Sequence, residues 1–449
     1  MPDAFDVLIL SNGPGELTTW VRPVVRALRR RWGEARSEVR ISLVLSPDAN
    51  GSGQEMAIAQ RYPELDRIQA AEQFWPFLLW GKTAADWDWR AQGVVIFLGG
   101  DQFFSVVIGR RLGYATVTYA EWEPRWLGQV DRFGLRRPES LSQIPVKYRA
   151  KCRVVGDLMV EAAQDIDATI LRPVSSEPKS SEPESSEPES SELGSSEPDS
   201  SESPAAAIEW IGLLAGSKAA KLTQGVPLLL TMADYWHHHR PQSRCFIPVA
   251  PSQTPQSLLR YAQAEHNPFV TTLGSPPVKL VQFDNEVWYF QTASGACIEL
   301  YTGFPAYDRL SQCQICLTTV GANTAELGAL AIPMLVLLPT QQLDAMRAWN
   351  GVPGLLANLP GLGSLFAKAI NWVMLRNLGL LAWPNLWAGE EIVPELVGRL
   401  DPIEIAQRVM DDLEHPERLE AMRSRLRAVQ GETGAAERLV DLVESCLAG

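Results

Sequence analysis

The sequence predicts an α/β protein with two Rossmann-like, doubly wound domains that face each other across a cleft, followed by C-terminal helices. Three observations support this. A chain of 449 residues is longer than one ordinary hydrophobic core requires. Apolar strand-like runs alternate with helix-like segments, a pattern typical of parallel sheets covered by helices. A Ser/Glu/Pro repeat divides this alternation into two halves.

The first half, residues 1–172, is predicted to form one domain. A helical pattern follows its first strand at 17–31. Strands are predicted at 7–10, 41–45, 94–98, 115–119 and 153–155. Because each strand is separated from the next by enough chain for a crossover, the strands are expected to be parallel.

The segment 173–206 is predicted to be a disordered linker. Its repeat S-S-E-P-x carries eight Glu and one Asp against one Lys, so that it contributes about −8 of the net charge of −13. It has almost no apolar residues to offset the entropy of ordering. The rest of the chain is nearly balanced in charge and lacks the basic excess of a nucleic-acid-binding protein. Nucleic acid is therefore not an expected partner.

The second domain is predicted at 207–401, with helices at 402–449. Asp401-Pro402 is a typical helix start, and the residues after it have a helical period. Strands of the second domain are predicted at 210–214, 244–249, 296–299, 315–319 and 333–338.

Ligands of open α/β sheets bind beyond the carboxyl ends of the strands, so the first domain offers two candidate sites. The turn after the first strand contains Asn12, Gly13, Gly15 and Glu16. Its glycines permit a close approach of the backbone to a ligand. Glu16 can accept hydrogen bonds from hydroxyl groups, and it is a candidate base for an acceptor hydroxyl. Asp101 follows the strand at 94–98, where it can act as a general base or as a helix N-cap.

Two further candidate sites lie in the second domain. Backbone N–H groups around Gly216 and Ser217, together with the Lys218 ammonium, suit a diphosphate whose charge needs stabilisation. The helix start after the strand at 315–319 can face a phosphate, and Glu326 can accept both hydroxyls of a ribose. That start contains Gly321, Asn323 and Thr324.

Together these segments resemble the lipid-A-disaccharide synthase family. Leu214–Lys218 is similar to its L-P-G-S-R segment, and 321–326 followed by Ile332-Pro333-Met334 is similar to its S-G-T-x-x-L-E and P-M stretch. Pro384–Gly389 with Pro394-Glu395-Leu396 is similar to its P-N-L-L-A and P-E-L-L segment. The sequence departs from the family at three places: the G-E-x-S-G-D turn becomes Asn12–Glu16, V-G-H-P becomes Val155-Gly156-Asp157-Leu158, and the arginine of L-P-G-S-R becomes Lys218.

The resemblance implies a GT-B type fold and an inverting glycosyltransferase that takes a sugar, of the N-acetylglucosamine type and possibly acylated, from a UDP-sugar. The acceptor would be a lipid or glycolipid bound by the first domain. The residues implied to surround UDP are Lys218, Gly321, Asn323, Glu326, Asn385 and Glu390, and Asp101 falls at the family's essential acid. No metal or other cofactor is expected, since the helix start and Lys218 could carry the diphosphate charge.

Two alternatives remain at this point: a UDP-sugar 2-epimerase with the same two-domain architecture, and a degenerate lipid- or nucleotide-binding protein. The N-terminus lacks a basic, signal-like region, so a cytoplasmic location is expected. The aromatic segment 74–80, with Trp372, Trp383 and Trp387, favours peripheral contact with the inner face of the cytoplasmic membrane.

Overall fold

The computed structural model describes residues 4–48, 53–164, 208–283, 287–339 and 379–448. The predicted linker at 173–206 and Trp372 lie outside these residues. Within them, the first sheet has seven parallel strands in the order β3-β2-β1-β4-β5-β6-β7. They are β1 (Phe5–Ser11), β2 (Val39–Leu45), β3 (Arg67–Gln69), β4 (Gly93–Phe97), β5 (Ala115–Ala120), β6 (Arg132–Leu135) and β7 (Cys152–Val154).

The helices of this domain cover the sheet from both faces. They are α1 (Pro14–Glu16), α2 (Arg22–Trp32), α3 (Glu55–Ala59), α4 (Phe74–Trp80), α5 (Gln102–Leu112), α6 (Pro138–Gln143), α7 (Val146–Arg149) and α8 (Leu158–Gln164). A π-helical segment, Leu17–Val21, joins α1 to α2. Pro23 explains it, because its ring cannot donate to the carbonyl of Thr19 and crowds that carbonyl in a regular α-helix.

The second sheet is mixed. Within the described residues it has eight strands in the order β10-β11-β12-β9-β8-β13-β14-β15, and only the β10-β11-β12 pairs are antiparallel. Its strands are β8 (Glu209–Leu214), β9 (Ser243–Pro248), β10 (Val278–Phe283), β11 (Val287–Thr292), β12 (Cys297–Tyr301), β13 (Cys313–Thr319), β14 (Met334–Pro339) and β15 (Glu395–Gly398).

Helices α9 to α14 lie in the second half of the chain, and three C-terminal helices follow them. They are α9 (Ala219–His239), α10 (Pro255–Leu259), α11 (Phe269–Thr272), α12 (Tyr307–Leu310), α13 (Ala322–Ala329), α14 (Trp383–Ala388), α15 (Pro402–Glu414), α16 (Pro416–Val429) and α17 (Ala435–Leu447). None of the described helices is long and apolar enough to cross a membrane.

The C-terminal helices join two different cores. Helix α15 packs against α9 in the second domain, where the Trp236 indole donates to the carbonyl of Ala406 at 3.0 Å. Helix α17 instead contributes Leu439, Val440 and Val443 to the core of the first domain. The chain therefore returns to the first domain at its end, although the domain boundaries themselves stay a prediction.

The carboxyl edges of the two sheets meet across the cleft. Met159 and Val160 of α8 pack against Ala325 and Ala329 of α13. Arg137, which follows β6, donates to the carbonyls of Trp387 at 3.1 Å and Val429 at 2.9 Å. Strand-to-helix junctions of the two domains thus lie close together. Ligands of doubly wound sheets bind at such junctions.

Candidate functional site

The turn after β1 places Glu16 at the cleft. The carboxyl of Glu16 folds back over Gly13, so that a side chain at Gly13 would collide with it. Burial raises the pKa of Glu16, and the nearby Asp48 and Glu55 raise it further. Gly15 has open space around it and is not sterically required. The turn therefore holds a carboxyl that binds a proton more tightly than a free glutamate.

Two polar atoms in the same turn are buried without a partner. Among the described residues, neither the Ser11 hydroxyl nor the Asn12 Oδ1 atom has a hydrogen bond. Asn12 Oδ1 faces Gly99, where an added Cβ would lie only 2.6 Å away. Buried polar groups normally have partners, so these atoms are positioned for hydrogen bonds to a bound molecule.

Asp101 is exposed at the end of β4 and caps α5. Its Oδ1 atom accepts a hydrogen bond from the backbone N–H of Phe103 at 2.9 Å. This is the arrangement of a helix N-cap. It leaves the second carboxylate oxygen available, so a catalytic role for Asp101 stays a prediction.

Three charged residues that the sequence analysis did not single out lie at the ends of β5, β6 and β7. Arg136 is buried and forms a short ion pair with the buried Asp157, with Nε to Oδ2 at 2.7 Å. Glu121 lies 3.8 Å from the same guanidinium. Burial raises the pKa of Glu121 to about 7; Arg136 opposes this, while Asp157 and Glu16 add to it. Glu121 is thus a carboxyl that titrates near neutral pH.

Asp157 is the residue that the sequence resemblance aligns with the histidine of the V-G-H-P motif. Asp157 also accepts the backbone N–H of Met159 at 3.0 Å and so begins α8. The Arg136 guanidinium lies 3.9 Å above the ring of Trp387 in the second domain. The buried Arg136–Asp157 pair therefore also contacts the opposite domain.

The junction after β8 forms the cationic side of the cleft. Gly216 has a φ of +91°, and a Cβ at this position would lie 3.1 Å from the Thr319 hydroxyl. Lys218 begins α9, and Lys221 in the first turn donates from Nζ to the carbonyl of Val320 at 2.6 Å. Burial, and then the charge of Lys218, lower the pKa of Lys221. Lys221 was missed in the sequence, although a second lysine in a helix first turn is a usable signal.

Gly321 begins α13 with a φ of +146°, and a Cβ there would lie 2.7 Å from Lys221 Nζ. The Thr324 hydroxyl donates to the Gly321 carbonyl at 2.8 Å and accepts the N–H of Trp383 at 3.1 Å. The Thr319 hydroxyl is buried without a hydrogen bond among the described residues. Glycine, ammonium, hydroxyl and helix start therefore converge here, which is how proteins hold phosphates.

Glu326 lies on α13 and faces the first domain. It is half-buried. Burial, and then the negative charge of Glu16, raise its pKa to about 7. Tyr307, from the second domain, hydrogen-bonds to Thr18 of the first domain. Burial raises the pKa of Tyr307, and the charge of Glu326 raises it further. Carboxyls from both domains thus share one partly desolvated region.

Two residues that were predicted to surround UDP, Asn385 and Glu390, have hydrogen-bond partners within the protein. Asn385 is fully buried. Its amide donates to the Val393 carbonyl and to Glu395, and accepts the N–H groups of Ile392 and Val393, at distances of 2.7 to 2.9 Å. Glu390 is exposed and pairs with Arg425 at 3.2 Å. Binding of a nucleotide by either stays a prediction, but the amide of Asn385 has no capacity left for one.

Serine 217 and Asn323 complete the predicted set. Ser217 is exposed and directly follows Gly216, and Asn323 is half-buried two residues after Gly321. Among the described residues, no group of three or more His, Cys, Asp and Glu side chains is arranged to hold a metal ion. The site is thus assembled from the ends of strands in both domains.

Comparisons with known proteins found similar structures but no similar sequences. No family model and no curated protein sequence matches the chain. A structure of S. aureus MnaA with UDP is similar, with a TM-score of 0.53 at 11% identity, over 99% of this chain and 97% of that one. UDP-GlcNAc 2-epimerase from Neisseria meningitidis has a TM-score of 0.48 at 11% identity, over 98% and 100% of the two chains. MurG from Acinetobacter baumannii has a TM-score of 0.43 at 13% identity, over 98% of this chain and 99% of that one.

The comparison with MnaA and the topology confirm the predicted fold class. The chain has two Rossmann-like sheets in a GT-B type arrangement, with C-terminal helices. At 11% identity the similarity concerns the fold, and the chemistry has to be argued from the residues described above.

Proposed function

We propose that this chain is an inverting, metal-independent glycosyltransferase that moves a sugar of the N-acetylglucosamine type from a UDP-sugar to a lipid or sugar acceptor. One observation carries the proposal: the phosphate-binding elements of the second domain face carboxyls of raised pKa in the first domain. A glycosyl transfer needs groups that stabilise the leaving anion and a group that removes a proton. The two domains would supply these from opposite sides of the cleft.

The donor would bind to the second domain. Its diphosphate would contact Lys218, Lys221 and the start of α13, and its ribose hydroxyls would contact Glu326. The Thr319 hydroxyl, which is buried without a partner among the described residues, is available to the same diphosphate. The presence of UDP in the similar MnaA structure supports the choice of nucleotide. These cations would stabilise the charge that develops on the leaving UDP.

The reaction would be a single displacement. An acceptor hydroxyl loses its proton to a carboxylate of the first domain and its oxygen forms a bond to the anomeric carbon, while the bond from that carbon to the diphosphate breaks. UDP leaves with the electron pair, and the anomeric configuration inverts. Glu121 suits the role of base because its pKa of about 7 matches proton transfer near neutral pH. Glu16, whose pKa is also raised by burial, is a second candidate. Asp101 stays a further candidate.

A 2-epimerase is the second candidate. Glu16 and Glu121 both have a raised pKa, and the charge of Glu16 acts on Glu121. One carboxylate would take the proton from C2 while the bond from C1 to the diphosphate breaks, which leaves a C1=C2 double bond and free UDP. UDP would bond to C1 again as the second carboxyl delivers a proton to the opposite face of C2. No acceptor would be needed.

An NMR assay of UDP-N-acetylglucosamine separates the two candidates. The protein is incubated with the donor in EDTA, with and without a lipid-linked glucosamine acceptor. Release of UDP only with acceptor, and a product of inverted configuration, is the expected result. Conversion of the donor at C2 without acceptor would replace the proposal with epimerisation, and a requirement for a divalent metal would contradict it.

We also propose that the first domain contacts a membrane surface through α4, as the segment 74–80 led us to expect. The helix is divided into two faces: Phe74, Phe77 and Leu78 are buried, whereas Trp75, Leu79 and Trp80 are 50%, 54% and 67% exposed. Such a face, with the exposed cations Lys82, Arg110 and Arg111 on the following and neighbouring segments, is typical of interfacial helices.

Vesicle sedimentation tests this contact. Wild-type protein should sediment with vesicles that contain phosphatidylglycerol more than with pure phosphatidylcholine. Replacement of Trp80 and Leu79 by Ser should remove this binding. Replacement of the exposed Phe283 by Ser, in the second domain, is the matched control and should have no effect. Equal sedimentation of all three proteins would contradict the contact.

A further inference from the structure

Three tryptophans meet where the two domains face each other. Trp122 follows β5 in the first domain, and its ring centroid lies 5.0 Å from that of Trp383 in the second domain. Trp383 is in turn 6.5 Å from Trp387, in a stacked orientation. The side chain of Trp122 remains 51% exposed, so that a broad aromatic surface is open to a ligand. We refer to these residues as the tryptophan cluster.

The tryptophan cluster adjoins Glu121 of the first domain and helix α13 of the second. Trp122 directly follows Glu121, whose pKa is raised to about 7 by burial. The backbone N–H of Trp383 donates to the hydroxyl of Thr324 on α13 at 3.1 Å, and α13 also carries Glu326. The aromatic rings are therefore placed between a candidate base of the first domain and the candidate nucleotide site of the second.

Polar groups surround the rings on one side. The Arg136 guanidinium lies 3.9 Å above the ring of Trp387. The indole N–H of Trp387 is buried and donates to no partner among the described residues. A buried donor without a partner is unusual in a folded protein, and here it belongs to the same cluster as an exposed aromatic face.

This combination fits a pyranose ring. A pyranose has a flat face of C–H groups and a rim of hydroxyls, whereas an acyl chain would have no use for the carboxylate and the N–H donors nearby. Binding sites for small molecules typically combine aromatic walls with a few placed polar groups. We propose that the tryptophan cluster is the acceptor subsite, with a pyranose ring stacked on Trp122 and its hydroxyls directed to Glu121 and the Trp387 N–H. This assignment rests on the proposed glycosyltransferase function.

Saturation-transfer NMR tests the subsite with a probe that carries both chemistries. The probe is octyl N-acetyl-β-D-glucosaminide, used below its micelle concentration. In the wild-type protein the ring protons are expected to receive more saturation than the octyl protons. Trp122→Ala should weaken ring binding at least about fivefold, because an aromatic contact is worth about 1 kcal/mol, while Trp122→Phe should retain most of it.

Trp126→Ala is the matched control. Trp126 is also an exposed tryptophan of the loop after β5, at 41% exposure, but it packs against Phe103 outside the cluster. Its replacement should leave saturation of the ring protons unchanged. Saturation concentrated on the octyl chain, or equal ring signals in wild type and Trp122→Ala, would overturn the pyranose assignment.

Calorimetric titration with UDP separates failure of the subsite from failure of the proposed function. If UDP binds to wild type and to Trp122→Ala equally, a loss of ring saturation in the variant is assigned to the acceptor subsite. If the ring does not bind to wild type but UDP does, the subsite is wrong and the proposed function stands. If UDP does not bind at all, the proposed function fails and the subsite, which rests on it, fails as well.

Discussion

At the scale of single residues, the cleft contains glutamates whose pKa lies well above the ordinary value. Glu326 has a pKa of about 7 against an ordinary 4.5, because it is buried and lies near the charge of Glu16. Between these values the folded chain binds a proton that the unfolded chain has lost. The stability contributed by protonated Glu326 is therefore fully present below about pH 4.5 and is lost as the pH rises to about 7.

Glu326→Gln should consequently stabilise the protein relative to wild type at pH 8 but not at pH 4.5. The amide resembles the protonated acid in shape and charge, so the two proteins should have similar free energies of unfolding at the lower pH. Urea denaturation across the pH range measures the difference. The exposed Glu390→Gln is the control and should show no such dependence. A difference between Glu326→Gln and wild type that does not change with pH would contradict the assigned cause.

Asn385 is expected to contribute to stability more than to binding. Asn385→Ala would leave the N–H groups of Ile392 and Val393 without acceptors, which should lower the free energy of unfolding by about 3 kcal/mol. Asn323→Ala, at a half-buried position, should change it by less than about 0.5 kcal/mol. Chemical denaturation measures both. Asn385→Ala with wild-type stability and lost UDP affinity would restore the role implied by the family resemblance.

At the scale of elements, Asp101 combines a structural role with a possible catalytic one, and two substitutions distinguish them. Asparagine caps helices as well as aspartate does, but it cannot accept the proton of an acceptor hydroxyl. Asp101→Ala should destabilise the protein by about 1 kcal/mol through loss of the cap of α5, whereas Asp101→Asn should not. Thermal unfolding and turnover are measured on both. Full activity in Asp101→Asn would exclude Asp101 as the base and leave Glu16 and Glu121.

The predicted strands were recovered because buried parallel strands are continuous apolar runs, as at β4 and β14. Strands β10 and β11 were missed; they form an antiparallel pair at the edge of the second sheet, where most of their side chains are only partly buried. Strand β6 was missed because Arg132–Leu135 is short and contains both arginine and glycine. Local hydrophobicity thus predicts the long apolar strands better than the short or partly exposed ones.

The site was predicted in part for a related reason. Glycine turns and helix starts are visible along the sequence, and they led to Gly216, Lys218, Gly321 and Glu326. Glu121, Arg136 and Asp157 lie at the ends of three different strands and meet only in the folded sheet. Nothing in the sequence around any one of them indicates the buried ion pair, so this part of the cleft required the structure.

At the scale of the whole molecule, α17 fastens the end of the chain to the first domain. Its apolar face joins the first core through Leu439, Val440 and Val443. Arg31 pairs with Asp441 at 2.7 Å and with Glu444 at 2.5 Å on the surface of the same interface. The sequence predicted C-terminal helices, but helical periodicity does not indicate which core a helix joins.

Leu439→Ala should therefore destabilise the first domain. Removal of a fully buried leucine side chain should lower the free energy of unfolding by about 2 to 5 kcal/mol. Glu444→Gln, which weakens an exposed ion pair, should lower it by less than about 1 kcal/mol. Urea unfolding followed by hydrogen exchange assigns the loss to a domain. Protection lost only in the second domain would contradict the placement of α17.

The central claim is that the second domain binds UDP without a metal through Glu326, the lysines at the start of α9 and the start of α13. Calorimetric titration with UDP in EDTA tests it most directly, on wild type, Glu326→Ala and the control Glu390→Ala. We predict micromolar binding to wild type and to Glu390→Ala, and none to Glu326→Ala. Absence of binding to wild type, binding that requires a divalent metal, or undiminished binding to Glu326→Ala would contradict the account.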